Sequence, residues 1–228
     1  MRFNIPSARF VKASYLAILI AIMSTGCATR KPYDYTNFKQ SRPASILVLP
    51  PLNSSPDVAA TYSMLSHVTL PLAESGYYVF PVSLVDETFR QNGLNNPSEM
   101  HAVKAQKLRE IFGADSALYI NVKQYGTSYN VISSESRVTA EARLIDLRTE
   151  QVLWSGLATA SSAEGRNSSG GLVGMLVQAV VSQILESTTN RSHPIAGITS
   201  NRLLVAGMSN GILHGPRSPQ YQKEGNTP

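Results

Sequence analysis

The chain has 228 residues, a formal charge of +5 and a single cysteine. One cysteine excludes an internal disulfide and a cysteine-based zinc site. Arg2, Arg9 and Lys12 carry three of the positive charges, so the basic balance belongs mostly to the first dozen residues. No basic run follows, and the ten tyrosines are not interleaved with Lys or Arg. These patterns exclude a nucleic-acid platform.

The first 26 residues read as a cleaved signal peptide. A basic start is followed by an apolar run over 13–23, then by Ser24, Thr25 and Gly26 before Cys27. That run is far short of the roughly 20 residues a membrane-spanning helix needs, and its flanks are those of an export signal. Thr25-Gly26-Cys27 resembles a bacterial lipobox, with Ser24 standing where Leu is usual. The reading is lipidation of Cys27 and attachment to a membrane through that lipid, several acyl chains giving stable anchorage. An incidental thiol is the alternative. Ala28 is not Asp, which by resemblance to other lipoproteins implies the cell outer membrane, with the domain facing the periplasm.

Residues 27–43 are read as a lipidated tether, polar and broken by Pro32 and Pro43. Tyr33, Tyr35 and Phe38 point to partial docking. The domain is placed at 44–220 and a disordered tail at 221–228.

Ser45 to Leu49 predicts a buried strand ending at Pro50-Pro51. Val58, Tyr62, Leu65, Thr69 and Leu72 predict a helix capped by Asp57, which Pro71 kinks or divides and Gly76 ends. Tyr77 to Pro81 is a second strand, parallel to the first. Ser83 and Asp86 suggest a capping box for a short helix to Arg90. Asn96, Pro97 and Glu99 start a helix whose stripe is Met100, Val103, Leu108, Ile111 and Phe112, and Gly113 stops it.

From Ala117 the hydrophobic period becomes two. Leu118, Ile120 and Val122 form one strand. Gly126 to Ser128 reads as a hairpin turn with a return over Tyr129 to Ser133. Val138, Ala140, Ala142 and Leu144 form the next strand, Asp146 to Glu150 a turn, and Val152 to about Ser161 another strand. Residues 164–171 are a loop. Leu172 to Leu185 is an uncharged apolar helix, packed on the sheet or at a subunit interface, with membrane insertion as the lesser alternative. Residues 192–206 are read as a further helix, and 207–228 as irregular. The fold class is α/β: a mixed sheet with an N-terminal strand-helix-strand unit, an antiparallel meander, helices packed on the sheet and C-terminal helices.

No constellation for catalysis, cofactor or metal stands out. Gly207-Met208-Ser209-Asn210-Gly211 matches the hydrolase G-x-S-x-G pattern, but that pattern works only on a strand-to-helix corner, and little chain remains to supply a triad. A turn is the better reading of Ser209. His67, His101, His193 and His214 show no metal-ligand spacing, and Asp57, Asp115, Glu141 and Asp146 form no evident pair.

Five segments resemble one family of bacterial lipoproteins, typified by a neisserial vaccine-candidate antigen and classed as a domain of unknown function. They are Ile46 to Asn53, Gly76 to Pro81, Ile111 to Asp115, Leu144 to Arg148 and Gly215 to Pro219. The resemblance spans most of residues 43–220. It implies an α/β domain similar to the TolB N-terminal domain and to the periplasmic domain of the curli-secretion lipoprotein, with no catalytic residues to carry over. It also implies a curli-secretion-like lipoprotein as neighbour and partner. A homodimer through apolar helix faces is the other partner expectation. The expected function is a non-catalytic binding or scaffold subunit of an envelope assembly, related to secretion or a surface organelle. The alternative is a regulator of a cell-wall synthesis enzyme, for which a tether of 16 residues reaches at most about 56 Å.

Overall fold

The computed structural model describes residues 33–129, 134–164 and 190–223. Cys27, the signal peptide and the predicted Leu172 to Leu185 helix lie outside the described residues. Among those described, six strands form one mixed sheet: β1 (Ser45–Val48), β2 (Leu52–Asn53), β3 (Tyr78–Val79), β4 (Ser116–Tyr129), β5 (Ser134–Asp146) and β6 (Val152–Ser161). The helices are α1 (Thr36–Ser41), α2 (Ala60–His67), α3 (Thr69–Glu74), α4 (Val82–Gln91), α5 (Pro97–His101), α6 (Ala105–Phe112) and α7 (Ser192–Leu204).

The sheet order is β3-β1-β4-β5-β6, with β2 also paired to β4. β1 runs parallel to β3 and β4, whereas β4-β5-β6 is an antiparallel meander. Pro50 and Pro51 have no N–H to give a ladder, so the chain leaves β4 after Val48 and rejoins it at Leu52 opposite Asn121. The α/β expectation of a parallel unit followed by a meander holds.

Alternation along β1 sends its side chains to two cores. Leu47 and Leu49 pack with Val85, Phe89, Met100, Leu108, Ala117 and Leu147, so α4 to α6 cover that face. Helices α2 and α7 pack on the meander's other face, over β4 and β5, with α7 also on β6. There Val138, Ala140, Ala142 and Leu144 are buried, as the period of two required. Trp154, 1% exposed, fills the space beside Gly156, where a side-chain carbon would meet its ring at 2.3 Å.

Several local expectations are corrected. Thr36–Ser41, read as tether, is helix α1, and Phe38 is buried by its docking near β6. Of the expected stripe Leu65 and Leu72 are buried, whereas Val58 and Tyr62 are exposed; Thr61, Met64 and Val68 complete the inward face. The helix around them divides at Val68, leaving Pro71 near the start of α3, where its missing N–H costs little. Ser83 lies inside α4, whose N-cap is Pro81 without a side-chain cap, so the capping box is absent. Asn96 does cap α5, its side chain accepting from the Ser98 amide. The helix it opens stops at His101, however, and α6 starts afresh at Ala105 with Ile111 exposed. Gly126 is no turn: β4 continues through it, paired with Arg137, and the ladder reaches Tyr129 opposite Ser134. The glycine adopts φ +143 within the strand, which is why a turn signal and a strand coincide there.

Candidate functional site

The residues best placed for a role cluster where the chain enters the domain. β1, β3 and β4 all start at this end of the sheet and β5 finishes there, since Ile46 and Asp146 both pair with Ser116. A carboxylate at a strand end can take up backbone N–H groups that the ladder leaves unpaired. Two do so here.

Asp115 accepts from the amides of Ala44 and Ser45 at 3.0 and 3.1 Å and from the Ser45 hydroxyl at 3.0 Å. The Ser45 hydroxyl oxygen in turn accepts from the Asp115 amide at 2.9 Å. One strand further on, Asp146 is 1% exposed. Its carboxylate accepts from the Ser41 hydroxyl, from the amides of Arg148 and Thr149 at 2.7 and 3.0 Å, and from the Arg148 guanidinium at 3.2 Å. Burial alone would raise its pKa. The Ser41 hydroxyl, the two amides and Arg148 outweigh burial and bring it from 3.8 down to about 2. Arg148 also donates to the Ser41 carbonyl at 2.9 Å. Residues 41–45 are thus fastened at consecutive points by two carboxylates.

The C-terminal segment locks against the same end. Tyr35 donates to the Gly211 carbonyl at 2.5 Å, Trp154 to the Asn210 carbonyl at 3.0 Å, and Tyr77 to the Leu213 carbonyl. The Gly215 amide donates to Ser75 at 2.8 Å and the Arg217 amide to Gly76 at 3.1 Å. Gly76 has φ +95, and a side chain on it would meet the Ser218 nitrogen at 2.4 Å. Only glycine fits both the conformation and the approach. The Arg217 guanidinium lies 5.5 Å from the centroid of Tyr78.

The sequence reading placed Asp115 and Asp146 in unrelated contexts; the fold puts them at one end of the sheet. The available signal was that Gly113-Ala114-Asp115 and Ile145-Asp146-Leu147-Arg148 both lie in segments of the family resemblance.

Other candidates resolve individually. Ser209 is exposed in a turn after α7, a context that differs from a strand-to-helix corner. His67 and His193, 126 positions apart, are brought together with ring centroids 4.4 Å apart. Nδ1 of His193 bonds the Ser63 hydroxyl at 2.8 Å, and the Tyr125 hydroxyl donates to that same oxygen at 2.8 Å. Burial, then the His193 charge, lowers the His67 pKa. No local spacing announces this pair, because α2 and α7 meet only in the tertiary fold. Among the described residues, no group of three or more His, Cys, Asp or Glu is placed to hold a metal, and no helix is long and apolar enough to cross a membrane.

Comparison with known proteins follows the same lines. A protein of Neisseria meningitidis serogroup B (strain ATCC BAA-335 / MC58), described as "Putative lipoprotein NMB1124/NMB1162", is 49% identical over 208 residues, which are 91% of this chain and 96% of that one. The crystal structure of lipoprotein GNA1162 from Neisseria meningitidis is similar at 54% identity with a TM-score of 0.53, covering 64% of this chain and 100% of that one. A PelC dodecamer from Paraburkholderia phytofirmans is 16% identical with a TM-score of 0.41, over 72% of this chain and 89% of that one, a likeness too distant to argue from. Residues 33–217 match the family described as "Putative lipoprotein GNA1162-like", and the chain belongs to that lipoprotein family.

Proposed function

We propose that this lipoprotein is anchored to the outer membrane by lipid on Cys27, faces the periplasm, and serves as a non-catalytic binding or scaffold subunit of an envelope assembly. The observation that carries the reading is the fastening of residues 34–45 onto the domain. With α1 docked and Ser41 and Ser45 held by Asp146 and Asp115, residues 34–45 belong to the domain, and the stretch of sequence from Cys27 to that point is the seven residues 27–33. Seven residues span at most about 25 Å. A short attachment at a fixed point holds the domain close to its membrane and limits its orientations. That suits a part of an assembly built at the membrane, and it works against a regulator that must reach inward to a cell-wall synthesis enzyme. The exposed turn around Ser209 supports the non-catalytic part of the proposal.

The test is to cross-link living cells carrying the tagged full-length protein, purify it from membranes and identify the captured proteins by mass spectrometry. Recovery of a neighbouring envelope lipoprotein in comparable amount is the expected result. Recovery of the bare monomer would overturn the scaffold reading, and recovery of a cell-wall synthase would replace it with the regulatory one.

A further inference from the structure

On the face covered by α4 to α6, those helices pack chiefly around β1 and the start of β4, and among the described residues nothing covers the meander beyond them. At their border lies a pocket of about 110 Å³, lined by residues that include Leu52, His101, Tyr119, Glu141 and Arg143. Sites for whole small molecules are several times larger, about 300–1,000 Å³, so this one takes a single small group. Its chemistry follows from its donors. Arg143 lies directly across from Tyr119 in the β4-β5 ladder. Neither the guanidinium nor the phenol has a hydrogen bond or ion pair among the described residues. Glu141, the acid two positions from Arg143, is engaged by Lys123 at 2.8 Å. Burial, with Glu150 adding to it and Arg143 opposing, raises the Tyr119 pKa, so the hydroxyl stays protonated and can donate. His101 is committed elsewhere: its Nε2 donates to the Pro50 carbonyl at 2.9 Å, and its ring stands edge-on to Tyr119 at 5.2 Å. Two donors unspent among the described residues, at the mouth of a small pocket, call for a planar group that only accepts, and a guanidinium fork matches a carboxylate.

A second feature lies beside them. Leu157 is 66% exposed on the same open face. It pairs with Glu141 while Arg143 pairs with Ser155, which makes Leu157 a diagonal neighbour of Arg143, about 7–8 Å away. A group held at Arg143 therefore has an exposed apolar side chain beside it on the neighbouring strand.

We propose that the Arg143–Tyr119 pocket binds the terminal carboxylate of a peptide chain whose last side chain is apolar and rests on Leu157. The inference stands apart from the scaffold reading, since a peptide end could belong to a partner or to a free peptide. The test uses the full-length mature lipoprotein in detergent micelles, titrated calorimetrically with N-acetyl-Ala-Leu, with its C-terminal amide and with acetate. The free acid should bind, and the amide should bind at least about tenfold more weakly through loss of the charge-assisted pair. Arg143→Gln should weaken the acid by a similar factor. Leu157→Ser should weaken the peptide while leaving acetate unchanged. Equal binding of acid and amide, unaltered binding to Arg143→Gln, or no heat from the acid up to about 10 mM would overturn the proposal. Equal affinity for acetate and peptide would overturn the peptide as ligand.

Discussion

At the scale of single residues, Asp146 makes the sharpest prediction. Its folded pKa of about 2 lies below the ordinary 3.8, a difference worth about 2 kcal/mol of stability. Because the folded value is depressed, that stability is present above the unfolded pKa and is lost as the pH falls from about 4 through about 2. Urea unfolding of the wild type should therefore show a loss of about 2 kcal/mol across that window. Asp146→Asn should be less stable by a similar amount at neutral pH and should show a correspondingly smaller loss on acidification. A variant as stable as the wild type at pH 7 would show that the four hydrogen bonds contribute nothing net. The residue scale is also where the sequence was least legible. Asp146 and Asp115 look like ordinary turn and strand-start acids until the ladder brings their strand ends together. His67 and His193 were likewise invisible as a pair, because their meeting depends on how two helices cross the sheet.

At the scale of elements, patterning worked where burial was one-sided and failed where short helices shared it. The meander was legible because Val138, Ala140, Ala142 and Leu144 face a core while Thr139, Glu141 and Arg143 face out. The stretch 58–72 misled because Val58 and Tyr62 are apolar yet exposed, while Ala60 and Thr61, weak signals in sequence, are buried. Gly126 misled because a glycine inside a long strand looks like a turn. Helix α1 was hidden by its polar composition, with Phe38 its single buried residue. Phe38→Ala should release α1 from β6. Removal of a buried Phe typically costs about 3–5 kcal/mol, but a peripheral helix can open without unfolding the rest. The expected outcome is faster hydrogen exchange over residues 36–41 and at the start of β6, with a global loss below that range. Unchanged exchange at α1 would refute the clamp.

At the scale of the whole molecule, the sequence was sufficient for the family and the fold class, since four of the five resembling segments contain or adjoin strand ends of one sheet and the fifth, Gly215 to Pro219, is held against Ser75 and Gly76. It was insufficient for the attachment, because the path of residues 34–45 is decided by partners as distant as Gly211. The proposed lipidation of Cys27 makes its own prediction. Cys27→Ser should move the protein from the membrane fraction to the soluble fraction while leaving its thermal unfolding unchanged. Retention of the variant on membranes after a high-salt wash would show that another part of the chain does the anchoring.

The interlock of Tyr35, Asp146 and Gly211 also carries a temporal order. In the proposed exported form, a chain delivered across a membrane N-terminus first would present residues 34–45 at the outset, but the groups that hold them would arrive at position 115, then 146, and finally near 211. Until the last of these has crossed, the segment behind the anchor stays unclasped and open to whatever machinery attends that end of the chain. On that proposal, closure of the final contacts would report that translocation is complete.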